Sequence, residues 1–204
     1  MVGVHFGRYG FIMDTSPERA TAALERVLCG NFSISHRLML HTRVMHGEEC
    51  VGEHYALNDV VPARGTLSRM LRLRVVVGEH ELVRYSGDGL VIATPTGSTG
   101  YSLSAGGPVV HPDVEVMVLT PIAPHTLNSR SLVIPGAASI EVRTEGGPVQ
   151  GILTVDGQVT ERFDEQAVVQ VTRAPFRAQL VQIRRSAFYE QLESRLGFGE
   201  RYDR

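Results

Sequence analysis

The sequence predicts a mainly β domain, built like a sandwich, with a short helix near its start and another at its end. Three observations carry this: many short runs of alternating apolar and polar residues, glycine-rich punctuation between them, and helical spacing confined to the two ends. No internal repeat, low-complexity tract or linker breaks the pattern. Residues 1–204 read as one domain.

Asp14-Thr15-Ser16-Pro17 opens the first helix, with Ser16 as N-cap and Pro17 at the first helical position. Ala20, Ala23, Leu24, Val27 and Leu28 follow at helical spacing, and Gly30 stands where a left-handed C-terminal cap belongs. From Phe32 the period changes to two and runs to Val44. The strand signal returns at Met70–Val77, Glu81–Tyr85, Leu90–Thr94, Glu115–Leu119, Ser131–Ile134, Ser139–Thr144, Gly151–Val155, Val168–Arg173 and Gln179–Arg184. Gly78-Glu79, Gly87, Glu145-Gly146-Gly147 and Asp156-Gly157 mark turns between them. Ser186 caps a final helix carrying Phe188, Tyr189, Leu192 and Leu196 before Gly197, and Gly199 to Arg204 read as a frayed tail.

A length of 204 residues with 43% hydrophobic content is enough for one substantial core. The formal net charge of −2 gives no broad reason to bind nucleic acid or an anionic membrane. No apolar run approaches the ~18 residues of a membrane span, and Met1-Val2-Gly3 lacks the pattern of a signal peptide. Cys29 and Cys50 match no disulfide framework or zinc spacing, and the eight histidines share no metal spacing. These features predict a cytoplasmic protein with no resident metal.

The stretch with the most chemistry is Gly87 to Pro108, GDGLVIATPTGSTGYSLSAGGP. Glycines at 97, 100, 106 and 107 allow close backbone approach. Hydroxyls at Thr94, Thr96, Ser98, Thr99, Ser102 and Ser104, with free backbone N–H groups, offer short donors to phosphate or ribose oxygens. Such composition also builds ordinary surface loops. Against that, the apolar run Leu90–Ala93 delivers the chain into a segment too long and too polar for a tight hairpin, which favours a nucleotide-binding loop. Asn58-Asp59, a polar pair between Ala56-Leu57 and Val60-Val61, reads equally as a turn or as a ligand contact. Asp88 between two glycines, and Asp156-Gly157 as a two-residue hairpin turn, are open in the same way.

TPTGSTGYSLSAGGPVVHP followed by VLTPIAPHTLNSRSLVIP resembles the C-terminal domain of the NAD kinases, which phosphorylate the adenosine ribose 2′-hydroxyl of NAD. Ala56–Val61, Gly3–Ile12 and Val155–Gln158 extend the likeness over nearly the whole chain in the right order. The resemblance implies a NAD pocket formed by Asn58, Asp59, Asp88, Thr99, Gly100, Tyr101, Ser102, Leu103, Ser104, Asp156 and Gln158, with Tyr101 offering a flat face and a hydroxyl. Gly100 departs from the usual alanine. Arg69 falls at a site that is often basic, though Arg69, Arg72 and Arg74 equally fit a solvated strand face, and Ser86 stands where arginine is frequent in relatives. His111 and His125 fit family positions whose role the residues do not reveal.

The family's Gly-Gly-Asp-Gly motif, whose aspartate is the usual candidate for handling the ribose proton, does not occur in these residues, and its N-terminal α/β domain is expected to be missing. No catalytic residue is therefore assigned. The resemblance implies a NAD kinase using ATP or polyphosphate with Mg²⁺ or another divalent cation, NAD as substrate, and a dimer or tetramer in which a neighbouring subunit completes the pocket. Phosphoryl transfer depends on positioning and charge neutralisation, so a silent NAD(P)-binding module or partner subunit stands as the alternative.

Overall fold

The protein, a computed structural model, is described over residues 3–4, 11–13, 15–65, 70–125, 129–148, 150–183 and 187–197. It divides into two compact units, residues 1–37 with 178–204, and residues 38–177.

In the first unit a 3₁₀ turn, Pro17–Arg19, leads into helix α1 (Ala20–Leu28) and strand β1 (Ser33–Arg37). Ser16 holds the extended backbone of an N-cap, but its side chain makes no capping bond. Gly30 takes the left-handed conformation expected of it, at φ 75. Only Ala23 of α1 is buried, while Leu24 and Leu28 are 55% and 79% exposed, so the apolar stripe read from the sequence does not become core in this chain. Strand β1 pairs antiparallel with the last strand, Ala178–Gln182, from Ser33↔Gln182 to Arg37↔Ala178. The terminal helix spans Ala187–Leu196 and stops at Gly197, φ 63. Its expected cap, Ser186, and the tail Gly199 to Arg204 lie outside the described residues.

The second unit is the sandwich. Its strands are β2 (Leu40–His46), β3 (Glu49–Ala56), β4 (Asp59–Arg64), β5 (Leu71–Val77), β6 (His80–Gly87) and β7 (Gly89–Ala93). After a helical turn α2 (Tyr101–Ser104) come β8 (Val116–Ile122), β9 (Leu132–Pro135), β10 (Ile140–Glu145), β11 (Gly151–Val155), β12 (Val159–Phe163) and β13 (Ala167–Arg173). Two six-stranded sheets result, ordered β3-β2-β13-β10-β5-β6 and β12-β11-β4-β7-β8-β9, with every pairing antiparallel.

Alternation places the core between the sheets. In β5, Leu71, Leu73 and Val75 point inward and are buried, while Arg72 lies exposed on the other face. Leu90, Ile92, Met117, Leu119 and Leu153 meet them from the second sheet. Each such side chain contributes about 1.5–3 kcal/mol of burial. Strand β7 is buried along its whole length, because Val91 and Ala93 on its outer face pack with Val61 and Val118 beneath Ala105 and Val110. The glycine-and-hydroxyl segment thus forms the roof of the second sheet.

Three strands escape the sequence reading. Strand β3 is a sheet edge with a mostly exposed, charged face, so its alternation is weak, and β12 is the edge of the other sheet. Strand β4 is buried on both faces and carries Pro62 in mid-strand, which argues against a central strand. The ladder accommodates the missing donor by skipping Val61 and Pro62 between Val60↔Ile92 and Ala63↔Gly89. The long run from Phe32 to Val44 is two strands, β1 and β2, broken at Leu38-Met39. No helix among the described residues is long and apolar enough to cross a membrane.

Candidate functional site

Antiparallel register brings three loops to one end of the second sheet. Asp59 opens β4 opposite Ala93, which closes β7, and Val60 pairs with Val155, which closes β11. The links 57–58, 94–100 and 156–158 therefore meet. Thr94 ties the first two: its hydroxyl donates to Leu57 O at 2.6 Å, its N–H donates to Asn58 O at 2.8 Å, and its Oγ1 accepts from Gly97 N at 3.1 Å. Gly97 sits so close to Asn58 that a Cβ there would lie 2.0 Å from the Asn58 carbonyl oxygen. The third loop joins through Asp156, whose carboxylate accepts from the backbone N–H groups of Leu57, Asn58 and Asp59.

The hydroxyls of the roof divide into two sets. Ser98 is fully buried and staples the loop across its neck, donating to Pro95 O at 2.7 Å and accepting from Val110 N at 3.0 Å. Ser102, read from the resemblance as a NAD contact, instead points inward: it is fully buried and bonded to Thr120 Oγ1 at 2.9 Å. Its hydroxyl is a strut that seats α2 on β8. Facing outward are Gly100, Tyr101 and Ser104, with Thr99 and Leu103 half-buried beside them. Tyr101 is 47% exposed, which leaves its ring free to take a flat partner. The Asn58 carboxamide has no hydrogen-bond partner among the described residues. Gln158 is exposed next to the cluster, donating its N–H to Val155 O in the turn.

Asp59 is buried, and its carboxyl is pushed up to about 6, chiefly by desolvation and then by the charge of Asp156. A raised acid pKa means that the native chain holds a proton that the unfolded chain has released. Stability from this group is therefore complete below about pH 4 and lost as pH rises through about 6. Asp59→Asn should leave the melting temperature near wild type at pH 4 and raise it by about 5 °C at pH 7. Calorimetry at both pH values checks this; a pH-independent difference contradicts it.

Ser86 and Asp88 do not join this cluster. Asp88 precedes Gly89, the opposite end of β7, and six residues at about 3.3 Å each put it some 20 Å from Thr94. The intervening strand is buried on both faces, so no groove links the two ends along it. At its own end Asp88 forms a 2.8 Å ion pair with Arg64, its N–H donates to Ile122 O, and His125 N donates to Ser86 O. Gly89 is pressed against β4, where a Cβ would meet Pro62 O at 2.7 Å. Beside them Ala123 is held at φ 43 directly before Pro124, a left-handed conformation that costs about 1–2 kcal/mol for alanine. Backbone strain of this kind concentrates at functional sites. Sequence reading missed Ala123 and Arg64; the Ala-Pro step was the only signal available.

Arg69 lies outside the described residues. Two cavities of about 300 and 310 Å³, one at the β6/β9 edge of the sandwich and one at Arg173–Arg177, are lined by none of the residues of either cluster.

The model of the ATP-NAD kinase C-terminal domain matches residues 57–183, which contain both clusters. The chain belongs to the NAD kinase family. The NAD kinase of Geobacter metallireducens is 40% identical over 98% of this chain and 71% of its own length, and that of Moorella thermoacetica 41% over 98% and 64%. Yeast NADH kinase, solved with NADH, superposes with a TM-score of 0.90 at 27% identity, and the chain spans 59% of it. An Archaeoglobus fulgidus NAD kinase solved with ATP gives 0.78 at 27% identity, covering 95% of this chain and 73% of that one. The family is one of phosphotransferases, and these relatives give no support to the silent-module alternative.

Proposed function

We propose that the chain serves a NAD kinase by cradling the dinucleotide at the loop cluster around Asn58, so that ATP phosphorylates the adenosine ribose 2′-hydroxyl. The observation that carries this is the clamping of Leu57–Asp59 between Thr94 and Asp156. It presents an unpaired carboxamide, with the buried carboxyl of Asp59 directly behind it, beside an exposed tyrosine. Asn58 and Asp59 recognise amide and hydroxyl groups of the ligand, Tyr101 stacks on a ring, and Thr99, Gly100, Leu103, Ser104 and Gln158 form the wall. In the reaction the ribose oxygen bonds to the γ-phosphorus, the bond to ADP breaks, ADP departs, and the hydroxyl proton passes to water. The described residues contribute positioning to that step. The Archaeoglobus relative bound to ATP favours ATP as donor. A divalent cation accompanies ATP as part of the substrate complex, neutralising charge on the phosphates.

Ser86, Asp88, Ala123 and His125 form a second half-site that a neighbouring copy offers to this cradle, making the working unit a homo-oligomer. Support comes from their separation along β7 and from the strain at Ala123. The exposed free thiols of Cys29 and Cys50 suit the reducing cytoplasm. Titration calorimetry with NAD and NADP tests the cradle. Asn58→Ala, which removes no internal bond, should keep the wild-type melting temperature and weaken binding about tenfold or more. Unchanged affinity overturns the proposal.

A further inference from the structure

Asp156 occupies the β11–β12 turn at φ 50, followed by Gly157 at φ 68, with Gln158 N donating to Val155 O at 3.1 Å. Two consecutive left-handed residues make a type I′ turn, and aspartate is one of the few non-glycine residues that tolerate it. Its carboxylate accepts three hydrogen bonds: Oδ2 accepts from Leu57 N at 2.8 Å, and Oδ1 accepts from Asn58 N at 2.7 Å and Asp59 N at 3.0 Å. The Asp156 N–H in turn donates to Asp59 O at 3.0 Å. Three successive amides aimed at one carboxylate form an anion-binding nest, occupied here by the protein's own side chain. Charge-assisted bonds of this kind are about twice as strong as neutral ones.

We propose that Asp156 is a positioning residue: it fixes Asn58 and Asp59 in their ligand-ready conformation and does not itself touch the dinucleotide. This rests on the function proposed above. Two features set it apart from a direct contact. The oxygens that would meet a ligand already hold the backbone of the residues that do. Asp156 is also the charged neighbour that Asp59 faces, and among the described residues no cation pairs with either carboxylate. Asp156→Asn keeps the turn and one acceptor oxygen but removes that charge, so Asp59 ionises at lower pH.

The test uses the full chain, with amide hydrogen exchange in the absence of ligand and NAD titrations from pH 5 to 8. In Asp156→Ala, exchange at residues 57–59 should speed up at least about tenfold and affinity should fall about 10–100-fold. In Asp156→Asn the affinity loss should be smaller, and the pH midpoint of binding should move below the wild-type value. Should Asp156→Ala fail to fold, Asp156→Asn carries the test alone. Weakened binding with exchange at 57–59 and the midpoint both unchanged would mean that Asp156 contacts the ligand, which overturns the proposal. Wild-type affinity in Asp156→Ala overturns it as well. Asn58→Ala reads the cradle separately: if it binds normally, the functional reading fails, and exchange at 57–59 still decides whether Asp156 holds that segment.

Discussion

Gly97→Ala should cost the chain both its stability and its dinucleotide site. A Cβ at this position would lie 2.0, 2.4 and 2.7 Å from the O, C and Cα of Asn58, all of them backbone atoms. They cannot yield independently, because Asn58 O accepts from Thr94 N and Asn58 N is held by Asp156. Relief therefore means pulling the 94–100 loop away from β4 and undoing the Thr94 bonds. We expect a loss of about 3–5 kcal/mol, a fall in melting temperature of about 10 °C, and no measurable NAD binding. Gly100→Ala is the control. Its Cβ would find only Gly97 O, at 3.3 Å, on an exposed turn, and it should melt like wild type. A Gly97→Ala chain with wild-type melting and binding would show that the loop is not seated on Asn58.

Asp88→Ala should do the reverse, leaving the fold intact while removing binding. The Arg64–Asp88 pair is exposed, 45% and 39% at its side chains, so its loss costs at most about 1 kcal/mol. Around it the turn is held by backbone bonds and by Tyr85, whose buried phenol donates to Gly89 O at 2.7 Å. A hydrogen bond from a ligand to an ionised carboxylate is worth about 1.5–3 kcal/mol, so affinity should fall about 10–100-fold. Full affinity in Asp88→Ala would remove this residue from the site, whichever copy it serves.

The sandwich was legible because period-two alternation survives wherever one face of a strand meets the core, as in β5 and β10. It faded where that condition fails: β3 and β12 lie at sheet edges, and β4 is covered on both sides and interrupted by Pro62. The cradle was legible as a composition, since glycines and hydroxyls crowd one loop. The role of each hydroxyl was not. Ser102 and Ser104 are indistinguishable in the sequence, yet one is a buried strut and the other faces solvent, because helical geometry turns residues two apart to different sides. Asp156 looked like a turn residue or a ligand contact. The structure makes it a turn residue that reaches across to a link about a hundred positions away, which no local pattern announces. Asp88 and Asn58 were read into one pocket because each resembles a binding residue, and only strand register reveals that they stand at opposite ends of β7.

That separation makes the account testable in a single mixing experiment. Asp88→Ala leaves the Asn58 cradle intact, and Tyr101→Ala leaves the Asp88 cluster intact. When the two variants are co-expressed in equal amounts, random association pairs an intact cradle with an intact partner cluster in about a quarter of the sites. Calorimetry at NAD concentrations too low for either variant alone should then recover about a quarter of the wild-type sites at wild-type affinity. Recovery of none would contradict the account, placing both clusters in one chain's pocket.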